Sequence, residues 1–161
     1  MMTITLEKAD ISDAREIYDL QIESFKALLN KYQDFDYSPG AEKPERTVQR
    51  LMEPITDFYF ISLDGKHIGA LRVCDFDRLC KLKQIFILPQ YQGHGYAQKA
   101  ILIAETRYPA AVRWELDTIL QEEKLCYLYE KMGYEKTGQT IRIKDGMDIV
   151  FYAKGEYSEG G

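Results

Sequence analysis

Apolar and polar positions alternate, then recur at helical spacing, then break at turn residues, and these changes of rhythm divide the chain. Thr3 to Glu7 alternates in polarity, as a half-buried strand does. Asp10 and Ser12 stand where a helix cap belongs. Ala14, Ile17, Tyr18, Ile22, Phe25 and Leu28-Leu29 then recur at the helical period, which predicts one or two helices over 12–32. Gln33-Asp34-Phe35-Asp36-Tyr37-Ser38-Pro39-Gly40 is dense in turn residues and reads as a loop. Its acids and aromatics either face solvent or line a pocket for an amine. Lys43-Pro44-Glu45 starts a further helix, with Val48, Leu51 and Met52 as its apolar face and Pro54 as its stop.

Residues 57–63 and 67–74 are strand-like runs joined by Asp64-Gly65, a strong hairpin signal. Asp75-Phe76-Asp77-Arg78 turns the chain again, and 79–88 makes a third strand, so three antiparallel strands in succession are expected. From Gly95 to Arg107 the pattern is helical, with Ala97, Ala100, Ile101 and Ala104 as a face of small residues, and Tyr108-Pro109 ends it. Residues 112–118 form the next strand, and 122–132 a helix with Gly133 as its C-terminal glycine. A last hairpin spans 134–143 and 147–153 across Lys144-Asp145-Gly146. The pattern predicts one domain over 1–154 and a polar, glycine-rich tail over 155–161. The element order is that of an α/β domain of the α+β type on a mostly antiparallel sheet.

Composition narrows the class. A chain of 161 residues fits one domain, and 45% hydrophobic with 29% charged residues is ordinary for a soluble globular protein. A net charge of −5 argues against non-specific binding to nucleic acid or an anionic membrane, and neither is expected as a partner. Cys74, Cys80 and Cys126 are odd in number and lack Cys-x-x-Cys spacing, and with two histidines no metal cluster is visible. Reduced thiols in a cytoplasm fit this usage. Cys126 reads as a buried helix cysteine, since no histidine is placed to activate it. Met1 to Glu7 has no basic segment ahead of an apolar core, so no signal peptide is expected. No apolar run approaches the roughly 20 residues of a membrane helix, and a cytoplasmic protein is expected.

The chemistry concentrates in Ile85-Phe86-Ile87-Leu88-Pro89-Gln90-Tyr91-Gln92-Gly93-His94-Gly95-Tyr96-Ala97. Pro89 cannot donate to a ladder and closes the apolar strand. Two glycines and a helix start follow, and this combination suits an anion: glycine lets backbone come close, and free N–H groups at the helix start point at negative oxygens. The spacing is not Gly-x-x-x-x-Gly-Lys-Ser/Thr, and the third glycine of the dinucleotide fingerprint is absent. Gln92-Gly93-His94-Gly95-Tyr96-Ala97, behind Ile87-x-Pro89-x-Tyr91, resembles the acyl-CoA loop of the GNAT superfamily of N-acetyltransferases. That loop reads Arg/Gln-x-x-Gly-x-Gly/Ala, and Gln92, Gly95 and Ala97 fill its fixed positions. Leu128-Tyr129-Glu130-Lys131-Met132-Gly133-Tyr134 resembles the later motif of the same family, a helix ending in Leu-Tyr-Glu-Lys-x-Gly-Phe.

The resemblance implies a GNAT-like mixed, mostly antiparallel central sheet of about seven strands flanked by about four helices. In it the strand before the glycine loop and the next strand run parallel and splay apart around the acyl group. It implies acetyl-CoA as co-substrate, no metal, and transfer to a primary amine of a small molecule or peptide. Such domains often pair through sheets or helices, which allows a homodimer. The resemblance assigns the pyrophosphate to backbone N–H groups of Gln92, Gly93, His94, Gly95, Tyr96 and Ala97, and the pantetheine arm and acyl carbonyl to backbone of Phe86 and Ile87. Tyr129 matches the tyrosine that gives a proton to the departing thiolate, and a phenol is protonated at neutral pH. The family's asparagine seven residues earlier is here Glu122, and an anion cannot copy both the donor and the acceptor of an amide. Leu125 replaces the usual small residue four before Tyr129. Glu115 and Asp117 share one face of their strand and are candidates for the base that takes the amine's proton. An ion pair on a solvated face and a water relay are the other readings. His94, beside the phosphates, is a poor base there. A silent acyl-CoA-binding module is the rival in another class, and the retained Tyr129 argues against it.

Overall fold

The structure is a computed structural model and describes residues 2–156. The strands are β1 (Ile4–Lys8), β2 (Thr56–Leu63), β3 (Lys66–Asp75), β4 (Leu79–Ile87), β5 (Arg113–Ile119), β6 (Glu135–Lys144) and β7 (Met147–Gly155). The helices are α1 (Ala14–Tyr32), α2 (Pro44–Met52), α3 (Tyr96–Thr106) and α4 (Glu123–Lys131). The strands make one 7-stranded sheet in the order β1-β2-β3-β4-β5-β7-β6, mixed and mostly antiparallel, as the sequence predicts.

Helices cover both faces of the sheet, which is why β2 and β3 are buried almost end to end instead of alternating. Ala9, Ile17, Phe58, Phe60, Ala70 and Phe86 form a core under α1 and α2. A larger core on the other face joins Ile61, Leu71, Cys80 and Trp114 to Ala100, Ile101 and Ala104 of α3 and Tyr129 of α4. Fully buried aliphatic side chains such as Ile61 and Leu71 each contribute about 1.5–3 kcal/mol. The β2–β3 hairpin turns at Asp64 (φ 50) and Gly65 (φ 88), the pair of positive φ values that a two-residue hairpin requires.

One junction departs from the regular ladder and makes the site. β4 and β5 are parallel but pair only from Leu79–Lys81 to Arg113–Glu115, and beyond that they part. β4 bends at the same level. Arg72 faces Gln84 and Val73 faces Leu82, so Lys83 is an extra residue, a bulge that bends its strand. β4 then continues to Ile87 supported only by β3, while β5 continues to Ile119 supported only by β7.

Two expectations from the sequence need correction. The predicted apolar face of α2 holds for Leu51, which packs on the core, and fails for Met52. Thr47 and Arg50 are buried, whereas Met52 is 68% exposed. The cause is Glu42, whose carboxylate takes both amino groups of Arg50 at 2.6 and 2.7 Å and draws the arginine inward. The tail also starts later than predicted. Gly155 pairs with Arg113 as the last residue of β7. Its φ of +100 and the 2.2 Å that would separate a Cβ from the Val112 carbonyl oxygen restrict the position to glycine. Residues 157–161 of that predicted tail lie outside the described residues.

Candidate active site

The glycine loop begins with a single turn of 3-10 helix, Pro89–Tyr91. Gln92 then folds its side chain back, and its Nε2 donates to the Ile87 carbonyl at 2.8 Å. Gly93 (φ 80) and Gly95 (φ 79) carry the chain through left-handed conformations, and Gly95 is the residue from which α3 starts. A Cβ at either glycine would meet nothing within 4 Å, so this face of the loop is open. The first bond of the α3 ladder runs from the Lys99 N–H to the Gly95 carbonyl at 3.2 Å. Among the described residues, the N–H groups of Gly93, His94, Gly95, Tyr96, Ala97 and Gln98 have no acceptor. Successive unpaired N–H groups at a helix start form a nest for an anion. The His94 ring stays in the loop, 5.5 Å from that of Tyr96.

The end of β4 splits its two residues between the two sides of the strand. The Phe86 carbonyl is turned toward β3, since a Cβ on Gly69 would lie 2.1 Å from it. Ile87 lies opposite in the pleat, so its carbonyl, held by Gln92, and its N–H sit on the edge that faces the gap. The Phe86 side chain packs edge-on against Phe25 of α1, with ring centres 5.7 Å apart. That of Ile87 enters the α3–α4 core.

Across the gap stands Tyr129. Its ring is 5% exposed and wedged between Tyr134 and Tyr152, each at 6.3 Å. The neighbours' hydroxyls are tied: Tyr134 donates to Glu105 at 2.8 Å and Tyr152 to Glu130 at 2.7 Å. The Tyr129 hydroxyl has no hydrogen-bond partner among the described residues. Burial pushes its pKa up, and the nearby Asp117 and Cys126 add to the effect, so it stays protonated. Cys126 is buried with its thiol directed at the carbonyls of Ile119 and Leu120, 3.7 Å from each, in keeping with a packed cysteine.

The two carboxylates of β5 differ. Glu115 accepts from Arg113 Nε at 2.8 Å and faces Lys81 at 3.8 Å. Asp117, one pleat nearer the open end, is exposed and has no ion pair among the described residues. Desolvation by the flanking protein raises its pKa, opposed by Lys83 and Lys81. Trp114, Leu116 and Thr118 alternate with these residues and are buried, which leaves Glu115 and Asp117 on the α1–α2 side of the sheet.

Glu122 does something the sequence did not suggest. Its carboxylate binds Lys31 Nζ at 2.7 Å and takes a short hydrogen bond from the Tyr32 hydroxyl, both on the last turn of α1. Nothing local signals this, because the partners lie 91 and 90 residues away. Among the described residues no group of His, Cys, Asp or Glu could hold a metal ion, and no helix is long and apolar enough to cross a membrane.

Residues 54–136 match the model of a protein family described as "Acetyltransferase (GNAT) domain". The chain is 19% identical over 160 residues to spermidine N(1)-acetyltransferase of Escherichia coli (strain K12), covering 96% of this chain and 81% of that protein. Among solved structures it is similar to a PaiA N-acetyltransferase from Thermoplasma acidophilum in complex with coenzyme A, with TM-score 0.74 and 16% identity over 96% of this chain and 99% of that one. It is also similar to an acetyl transferase from Salmonella typhimurium that modifies the N-terminal serine of a 50S ribosomal subunit protein, with TM-score 0.74 and 16% identity over 96% of each chain.

Proposed function

The chain belongs to the GNAT family of acetyltransferases, and on that premise we propose that it moves an acetyl group from acetyl-CoA to a primary amine of a small molecule or a peptide. The observation that carries this is the open nest of unpaired N–H groups from Gly93 to Gln98, set at the mouth of a sheet that parts beyond Lys81 and Glu115. The nest fits a pyrophosphate: it offers donors, the positive end of a helix and no side chain that fills the space. The proposed catalytic domain takes in the whole sheet, from Ile4 to Gly155.

When bound, acetyl-CoA supplies a thioester whose acetyl group passes to the nitrogen of a neutral amine as the C–N bond forms and the C–S bond breaks. The backbone from Gln92 to Ala97 would hold the phosphates. The Ile87 N–H, on the gap edge, would donate to the carbonyl oxygen as charge gathers there. Phe86 would act through its side chain, which fixes that edge against Phe25, rather than through its carbonyl. Asp117 would accept the amine's proton, directly or through water, since Glu115 is held by Arg113 and Lys81. Tyr129 would direct its hydroxyl hydrogen at the sulfur. Its raised pKa favours a hydrogen bond to the developing thiolate over complete loss of its proton. Relatives that act on spermidine and on a protein N-terminus both keep the amine class open.

The test is thiol release from acetyl-CoA with a panel of primary amines: a polyamine, an amino sugar, an amino acid and a peptide N-terminus. Turnover with one of them supports the reading, while CoA binding without turnover on any would favour a silent binding module. Gly95→Asp places a negative charge in the nest and is expected to abolish CoA binding by calorimetry. Gln92→Ala, which frees the Ile87 carbonyl without straining the loop, is expected to weaken it. Unchanged affinity in both folded variants would overturn the placement.

A further inference from the structure

Resting on the acetyl-transfer reading, we infer that Glu122, seconded by Lys144, is a positioning residue that sets the opening of the split sheet on the side where the amine enters. Little of the strand ladder joins the two halves there. β1 to β4 form one arm and β5, β7 and β6 the other, and their strands meet only over the three pairs from Leu79–Arg113 to Lys81–Glu115. α1 belongs to the first arm. Ile17 lies in the core with Phe58 and Phe60, and Phe25 rests on Phe86 at the end of β4.

The last turn of α1 crosses to the second arm. Lys31 and Tyr32 both bind the carboxylate of Glu122, which sits in the β5–α4 connection with 19% of its side chain exposed. Lys144, at the end of β6, reaches the carbonyl oxygens of Tyr32 at 2.7 Å and Gln33 at 3.5 Å. An ammonium on the last carbonyls of a helix satisfies acceptors that the ladder leaves free and opposes the helix dipole. The helix stops there, because Gln33 turns to φ 55, and the 33–43 loop departs from the clasp. α1 therefore straddles the gap, and Glu122 and Lys144 are its attachments on the far side. Where the family's motif places an asparagine, this chain has a carboxylate turned to α1. Asp117 lies on the same side of the sheet, so the clasp borders the space from which an amine would approach. Acyl transfer is sensitive to such spacing, since a misplacement of about 1 Å can reduce a rate by roughly 10²-fold.

The experiment uses the full chain with Glu122→Ala, Glu122→Gln and Lys144→Met. Hydrogen exchange over residues 29–41, acetyl-CoA affinity by calorimetry, and kcat and KM for the best amine of the panel are measured for each. Glu122→Ala is expected to speed exchange over 29–41 and to lower kcat/KM for the amine by about 10-fold to 100-fold, with acetyl-CoA affinity unchanged. Lys144→Met is expected to act in the same direction. Glu122→Gln keeps an acceptor for Tyr32 and is expected to restore part of the loss, and it carries the test with Lys144→Met if the alanine variant does not fold. Unchanged exchange over 29–41 overturns the inference. So does a loss confined to acetyl-CoA affinity, which would make Glu122 a cofactor contact. If the wild type acetylates no amine, the acetyl-transfer reading fails, while the exchange measurement still decides whether the clasp joins the two arms.

Discussion

At the closed end of the split sheet, where Cys80 lies opposite Trp114, the polar groups of the tyrosines are all answered. Tyr108 donates to Asp57 at 2.7 Å, Tyr59 lies 2.8 Å from the Tyr108 hydroxyl, and Lys8 holds the other Asp57 oxygen at 2.8 Å. The Tyr108 ring meets Trp114 edge-on at 5.7 Å. At the open end, Tyr129 is as well packed by aromatic rings, yet its hydroxyl has no partner among the described residues. Burial pushes the pKa of both Tyr108 and Tyr129 up, so both remain donors at neutral pH. A fully buried polar group left unpaired costs about 1–3 kcal/mol, and the closed end avoids that cost by pairing its hydroxyls. The open end leaves the Tyr129 hydroxyl unpaired among the described residues but within reach of solvent. The difference separates a hydroxyl that holds the fold from one available to a reaction.

The largest expected effect tests that separation directly. Tyr129→Phe keeps the ring and removes only the oxygen. It is expected to lower kcat by about 10²–10⁴-fold, with thermal stability retained and acetyl-CoA affinity little changed. Tyr108→Phe is expected to do the reverse. It strips a donor from Asp57 and an acceptor from Tyr59, which costs about 1–3 kcal/mol of unfolding free energy in a denaturant titration, while turnover per folded molecule is kept. If Tyr129→Phe loses stability and keeps its turnover, the open end is structural as well and the comparison collapses.

Legibility in the sequence follows the same division between local and distant causes. The Asp64-Gly65 turn and the Gly95 helix start could be read because each depends on backbone conformations set by immediate neighbours. The predicted homes of Tyr129 and the glycine loop could be read from motifs. Arg50 could not, since its inward turn depends on Glu42 across a helix start. Nor could Gly155, which is glycine because of a carbonyl on a neighbouring strand. The bulge at Lys83 is a property of two strands in register, not of one. Glu122 looked only like a misfit in a motif until α1 was placed beside it. The free hydroxyl of Tyr129 is likewise a fact about what surrounds it.

A second, smaller effect concerns Asp117. Asp117→Asn removes the proposed base and is expected to lower kcat/KM by about 10²-fold near neutral pH. The pH profile gives a sharper result. Desolvation raises the pKa of Asp117, so its basic form disappears at a higher pH than that of an ordinary carboxylate as acid is added. The acidic limb of the kcat/KM profile is expected above the ordinary carboxylate value of about 3.9. Lys83 and Lys81 pull the pKa down, so Lys83→Gln is expected to move the limb to still higher pH. A limb that stays in place in both Asp117→Asn and Lys83→Gln would assign the proton to another group or to water alone.

The smallest expected effect is that of Glu115→Gln, and its smallness is the point. Glu115 and Asp117 share a strand face, so a general electrostatic role for acidic charge on that face would make the two substitutions similar. The structure separates them. Glu115 is engaged by Arg113 at 2.8 Å and by Lys81 at 3.8 Å, at the last level where β4 and β5 still pair. Its partly exposed ion pair contributes less than about 1 kcal/mol. The amide also keeps an acceptor for the Arg113 Nε–H. Glu115→Gln is therefore expected to unfold within about 1 kcal/mol of wild type. It should retain kcat and leave the acidic limb of the pH profile where Asp117 sets it. A rate loss equal to that of Asp117→Asn would mean that the base function is shared along the strand, and that the ion pair with Arg113 opens when the amine binds.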